Sequence, residues 1–320
     1  MLSALENVLS IILAIALGFV LAKRKWLGPS ASELIPKLVV GVALPAYMVA
    51  NLMGGYDRRK LLDMLPGLPI PFAVMIVTFA LGRALAAALR LKPERRGTFS
   101  SMFALSNTIF VGLPVNLVLF GDESLPYVLL YYIANTTLFW TIGVYEIAAD
   151  GAVISGGRKP SFFSPASLRR IFSPPLTAFL ASAALILIGV RLPPFLLGFC
   201  KTIGSMTTPL SMLFIGVVIA GVDWKRAKPG ADLWFVLAGR YLVAPGLLVL
   251  LVSGLGRDLP QLMKEVFFVQ AAMPAMTQTP ILAKAYGADA EYAGLGTALT
   301  TVACLATIPI CMALIPAIFP

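Results

Sequence analysis

The sequence predicts an all-α integral membrane protein with ten transmembrane helices in two inverted five-helix repeats, the fourth and ninth helices being interrupted. Three observations lead there. Hydrophobic residues make up 59% of the 320-residue chain and charged residues 12%, about half the charged share of a soluble domain. Apolar stretches near the roughly 20 residues needed to cross a bilayer recur along the whole sequence. Two of them, around Ser106–Pro114 and Met273–Pro280, carry Pro and hydrogen-bonding side chains in their middles. Inside hydrocarbon an unpartnered backbone group costs several kcal/mol, so such interruptions persist only where protein or a wet cavity surrounds them.

Ten spans are read at 6–22, 33–53, 66–89, 98–120, 126–148, 172–190, 194–221, 231–255, 262–286 and 290–318. The first is followed by its charges, Lys23, Arg24 and Lys25, and no small-residue cleavage site is evident. It therefore reads as a membrane helix, not a cleaved signal peptide. The longest connection, 149–171, is rich in Gly, Ser and Pro and contains Arg158, Lys159, Arg169 and Arg170. It reads as a cytoplasmic linker between a first repeat, 1–148, and a second, 172–320.

Charge sets the orientation. Alternate loops place fourteen Lys and Arg on one side, within 23–25, 90–96, 158–170 and 225–228, and six on the other. The richer side is cytoplasmic, which leaves both termini outside. The same placement in short loops accounts for the net charge of +10 without a nucleic-acid partner. Cys200, Cys304 and Cys311 lie in apolar surroundings without metal-ligand spacing and read as packing residues. The chain has no His, the commonest metal ligand and proton shuttle, and no metal or cofactor is expected.

The two halves resemble each other. Lys37 and Pro45 recur 164 positions later as Lys201 and Pro209, and Thr136-Thr137 recurs at the same offset as Thr300-Thr301. Pro114 and Gly121 recur as Pro280 and Gly287, 166 positions on. An odd number of spans per repeat inverts the second half in the membrane, and paired interruptions at corresponding positions point to a transporter's binding site. Each segment after an interruption begins near mid-membrane, where a helix N-terminus presents free N–H groups and about half a positive charge. Such an end favours an anion. Pro114 and Pro280 suit the first turn of those segments, where a missing N–H has no intrahelical partner to lose. Asn107, Thr108, Gln270, Thr277, Gln278 and Thr279 add neutral hydrogen-bonding groups, and Gly112 and Pro274 fall within the two stretches. Either interruption alone reads as a proline kink packed on its neighbours. Together, at matching positions, they read as a site.

Ser106-Asn107-Thr108-Ile109-Phe110-Val111-Gly112-Leu113-Pro114, followed by Phe120-Gly121, resembles the fourth-helix motif of the auxin efflux carrier family. That family comprises the plant PIN proteins and bacterial relatives proposed to carry malonate, malate and similar acids. Ala271-Ala272-Met273-Pro274, with Ala283-Lys284-Ala285-Tyr286-Gly287, resembles its ninth-helix motif, and Leu44-Pro45-Ala46 is also typical. The resemblance covers nearly the whole chain. It implies ten helices in two inverted repeats, a scaffold part, and a transport part in which helices four and nine cross near the midplane. It further implies a homodimer in the lipid bilayer, a bacterial inner-membrane location, and elevator-like movement of a carboxylate. Ser106 stands where plant PINs have Pro before the Asn-Thr pair, and the long cytoplasmic loop of many of them is absent here.

Lys37, Arg83 and Arg240, within about two turns of cytoplasmic ends, read as snorkelling side chains, and Lys201 reads likewise near the outer end of its span. Asn51, Asn116 and Asn135 line a cavity or bond neighbouring helices. Lys284 either snorkels or lends positive potential to the inward path. The resulting expectation is a secondary transporter or facilitator of a small organic anion, a mono- or dicarboxylate. A sodium-coupled organic-anion symporter of the bile-acid type and a transporter-like membrane sensor are the alternatives. An intramembrane enzyme would need a His, paired carboxylates or an activated Ser in the bilayer, and the spans supply no His and no carboxylate pair.

Overall fold

The computed structural model describes residues 2–28, 30–156, 172–221 and 229–319. Among these residues the chain is all-helical with no strand. Among the described residues six helices are long and apolar enough to cross a membrane: Glu33–Gly55, Arg58–Ala88, Asp122–Ser155, Pro194–Ala220, Ala231–Leu255 and Ala290–Ile318. Shorter apolar helices include Thr108–Phe120 and Pro174–Leu187, and the chain opens with the helix Leu2–Lys23.

The sequence-based boundaries differ most at two places. The third span starts at Arg58 instead of 66, because the Asp57 carboxylate caps it, accepting from the Lys60 N–H at 2.8 Å. The fifth continues past 148 to Ser155 and closes on Gly156 in the left-handed region, so the first residues of the expected linker are helical. The remainder of that linker, 157–171, and the basic loop 222–228 lie outside the described residues. The fourth and ninth spans are each divided, as described below.

Five-residue π turns widen the helices at Val39–Ala43, Thr108–Gly112, Phe139–Gly143 and Gly239–Val243. Three of these four are followed two residues on by a proline: Pro45, Pro114 and Pro245. A helical proline lacks an N–H and its ring crowds the carbonyl four residues back. Widening the preceding turn relieves that contact without ending the helix.

The chain forms two compact units. The first comprises Met1–Pro66, Ile109–Leu130 and Arg169–Gly221; the second comprises Gly67–Thr108, Tyr131–Leu168 and Val222–Pro320. In the first, Leu2–Lys23 packs along Thr207–Ala220. A Cβ at Gly18 would lie 2.3 Å from the Leu213 carbonyl oxygen, and one at Gly216 would lie 2.2 Å from that of Ile15. Lipid tails are as apolar as Leu, so close backbone approach of this kind, more than hydrophobic burial, joins membrane helices. Leu9, Leu13 and Leu17 are exposed one turn apart on the same helix, an apolar face suited to lipid.

In the second unit Pro69–Ala88 packs on Arg96–Ala104, which also lies against Val144–Ser155. Phe99, Met102, Phe103, Leu233, Val236 and Tyr292 form its buried apolar cluster. The start of Arg96–Ala104 is held by Asp150, whose carboxylate accepts from the Gly97 N–H at 2.9 Å, the Thr98 N–H at 2.7 Å and the Thr98 hydroxyl at 2.8 Å. A carboxylate at a helix N-terminus meets both the free N–H groups and the positive end of the dipole. This anchor fixes the helix that leads into the first interruption.

Candidate functional site

Two interruptions meet inside the second unit. The helix Arg96–Ala104 ends at Leu105, which is extended (φ −102°, ψ 129°). Helical structure resumes at Thr108. The helix Gln261–Ala271 ends at Ala272 (φ −87°, ψ 16°), and Gln278–Tyr286 begins after the non-helical residues 272–277. Ser106 and Ala275 face each other as a single antiparallel bridge, and the Asn107 N–H donates to the Pro274 carbonyl at 2.8 Å. The crossing is thus a direct backbone contact between the two interruptions.

Side chains bond several more of the freed backbone groups. Asn135, fully buried, uses both ends of its amide on one residue. Its Oδ1 accepts from the Ser106 N–H at 2.9 Å and its Nδ2 donates to the Ser106 carbonyl at 2.8 Å. The Thr300 hydroxyl oxygen accepts from the Ala275 N–H at 3.1 Å. Arg240, also fully buried, donates from Nε to Met273 at 2.8 Å, from Nη1 to Ala104 at 2.7 Å and from Nη2 to Ala271 at 2.7 Å, each time to a carbonyl oxygen.

Around this frame the hydrogen-bonding side chains converge. The Asn107 amide reaches the Thr277 hydroxyl at 3.5 Å, and that hydroxyl lies 3.5 Å from Gln278 Oε1. Gln270 Nε2 donates to the Thr108 carbonyl at 3.3 Å. Thr108 Oγ1, Gln270 Oε1 and Thr279 Oγ1 are buried with no hydrogen-bond partner among the described residues. Thr277 and Gln278 are partly exposed. No group of three or more metal-ligating side chains occurs among the described residues.

The whole-chain pattern can be compared with known proteins. The family model described as membrane transport protein matches residues 3–312. The chain belongs to this family, that of the auxin efflux carriers. The transporter is 24% identical over 307 residues to an uncharacterized transporter of Methanocaldococcus jannaschii, covering 93% of this chain and 94% of that one. It is 25% identical over 316 residues to an uncharacterized transporter of Methanothermobacter thermautotrophicus, covering 95% and 96%. Family and relatives alike are described as membrane transporters.

The crossing in the transporter brings together Asn107, Thr108, Gln270, Pro274, Thr277 and Gln278, with Thr279 and Pro280 in the first turn of the outgoing segment. Pro114 corrects one expectation. Helix resumes at Thr108, so Pro114 falls in the second turn, just past the π turn that contains Gly112. Gly112, Pro114 and Asn116 belong to the first unit, where Asn116 Nδ2 donates to the Gly112 carbonyl at 2.7 Å. Asn51, also in the first unit, donates to the Asp122 carbonyl at 3.3 Å, beside the Tyr47 hydroxyl that donates to the Asp122 carboxylate. Asn51 therefore ties a turn. Lys284 is exposed in the last turn of Gln278–Tyr286 and is not part of the cluster.

Arg240 is the larger correction. It does not snorkel: it is 0% exposed and spends three N–H groups on carbonyls at the crossing. Its depth is the signal that sequence reading passed over. Nine residues beyond Ala231, at 1.5 Å per residue, place it about 13 Å along the helix, near the middle of a hydrocarbon core about 30 Å thick. Arg83 instead pairs with Glu146 at 3.1 Å in a half-exposed position.

Proposed function

We propose that the transporter carries a small organic anion, a mono- or dicarboxylate, bound where the two interruptions cross. The carrying observation is the composition of that crossing: amides, hydroxyls and backbone at one buried place, with no carboxylate in either interruption. The proposed substrate-binding set is Asn107, Thr108, Gln270, Pro274, Thr277, Gln278, Thr279 and Pro280, all within the second unit. A helix start supplies partial positive charge and N–H donors; the side-chain amides and hydroxyls orient the carboxylate.

The wider proposal is ten membrane helices in two inverted five-helix repeats, 1–148 and 172–320, working as a homodimer with both termini outside the cell membrane. Both interruptions and the side chains that brace them belong to one compact unit, which supports movement of that unit as a body with the anion aboard, the elevator mode of alternating access. Orientation is tested by labelling from outside: Glu123→Cys should react and Arg95→Cys should not, and the reverse would overturn it.

Uptake of labelled malonate into proteoliposomes, driven in turn by a proton gradient, a sodium gradient and neither, tests the function. Uptake supports the proposal, and its driving gradient assigns the coupling. The buried, unpartnered oxygens of Thr108 and Gln270 are of the type that ligates Na⁺, so a strict sodium requirement would select the symporter reading. Binding of carboxylates without flux would select a sensor and overturn transport.

A further inference from the structure

A buried arginine in a membrane helix is costly unless its charge and donors are matched. Among the described residues Arg240 has no ion pair, and its three hydrogen bonds go to main-chain carbonyls. Two of these belong to the final residues of the interrupted helices, Ala104 and Ala271. A helix C-terminus carries about half a negative charge, so the two ends together offer about one, the complement of one guanidinium. The third carbonyl, of Met273, lies within the second interruption itself.

We propose that Arg240 is a positioning residue of the transport site: one rigid guanidinium fork fastens the C-terminal ends of both interrupted helices and so fixes the register of the crossing. The fork reaches three carbonyls on two chain segments at once. A lysine ammonium, with its donors on a single atom, cannot reproduce that spread. The guanidinium also removes a conflict. Every interruption creates a negative helix end beside the positive start of the next segment, and uncompensated ends would cancel much of the attraction for an anion. With both negative ends held by Arg240, the helix starts and the Asn107, Thr277 and Gln278 side chains remain to meet the substrate. Arg240 acts through these groups without touching the anion; this consequence for the substrate rests on the anion-site reading, whereas the clamp itself does not.

Two measurements on the full-length protein separate the claims. The first needs no substrate. Ser106 and Ala275 are opposed across an antiparallel bridge, where Cα atoms sit about 4.5–5.5 Å apart, within disulfide range. With Cys200, Cys304 and Cys311 replaced by Ala, the pair Ser106→Cys and Ala275→Cys should cross-link readily on oxidation. Arg240→Gln should slow this by at least about tenfold, since hydrogen bonds to a charged group each carry more than a neutral one. Arg240→Lys should fall between the two. If Arg240→Gln does not yield monodisperse protein, the lysine variant, which keeps the charge, decides the matter. Cross-linking at the parental rate in whichever variant folds overturns the clamp.

The second measurement is malonate uptake by the same variants without engineered cysteines. Simple loss of folded protein would lower the maximal rate and leave KM unchanged. Mispositioning should raise KM by about tenfold to a hundredfold in Arg240→Gln, with partial recovery in Arg240→Lys; an unchanged KM would overturn the positioning role. Should the parent protein take up and bind no carboxylate, the anion reading fails while the cross-linking result still decides the clamp.

Discussion

The two interruptions are built alike in outline and braced differently. The first is three residues long, 105–107, and its middle residue is held at both N–H and C=O by one neutral amide, Asn135. The second runs from 272 to 277: Thr300 holds the Ala275 N–H and Arg240 holds the Met273 carbonyl, while the other two donors of Arg240 go to the helix ends Ala271 and Ala104 beside the two interruptions. Length explains the difference. A short interruption exposes one peptide's worth of donors and acceptors, which a single carboxamide matches in kind and number. In the longer one the braced groups, the Ala275 N–H and the Met273 carbonyl, come from separate residues and take separate partners, an accepting hydroxyl and a donor-only guanidinium. The outgoing segments also end differently, Gly121 at φ 75° and ψ −173° and Gly287 at φ 73° and ψ 20°.

This contrast orders the expected losses. Asn135→Leu should cost most, about 2–5 kcal/mol, because it strands a buried N–H and a buried carbonyl at once; a small shift in unfolding midpoint would mean the first interruption is braced elsewhere. Gly121→Ala should follow at about 1–3 kcal/mol, since its backbone region is essentially closed to side chains. Gly287→Ala should cost less, about 1–2 kcal/mol, its left-handed conformation being merely disfavoured; equal losses would erase the distinction between the two ends. Thr300→Val removes one acceptor from Ala275 while the Arg240 contacts remain, and should cost about 1 kcal/mol. Lys284→Ala should leave stability within about 0.5 kcal/mol, as for exposed surface changes generally, and alter only the salt dependence of uptake.

Composition, loop charge and apolar length made the helical membrane class legible, and Pro with Asn, Thr and Gln in mid-span marked both interruptions. The partners across the crossing were less so. Asn107 and Thr277 lie 170 positions apart, and nothing in either local pattern states which residue faces which. Arg240 was missed because depth and direction decide whether an arginine snorkels, and direction depends on packing. Asn51 was read from its residue type alone, and type does not separate a turn-tying amide from a cavity-lining one. Pro114 reads as a first-turn residue in the sequence because the π turn before it has no signature beyond the proline itself.

The central claim is that the crossing holds a carboxylate by helix starts and neutral donors. It is tested most directly by the thermal shift of purified protein with malonate, acetate, amino acids and organic cations, comparing the parent with Asn107→Ala and Asn107→Asp. A ligand that binds only folded protein raises its stability with concentration. Carboxylates should stabilise the parent; Asn107→Ala should weaken that binding by about tenfold to a hundredfold through loss of one buried donor. Asn107→Asp should abolish it, because a fixed negative charge would occupy the same helix starts. Carboxylate stabilisation that survives in Asn107→Asp, or stabilisation by cations alone, would contradict the account.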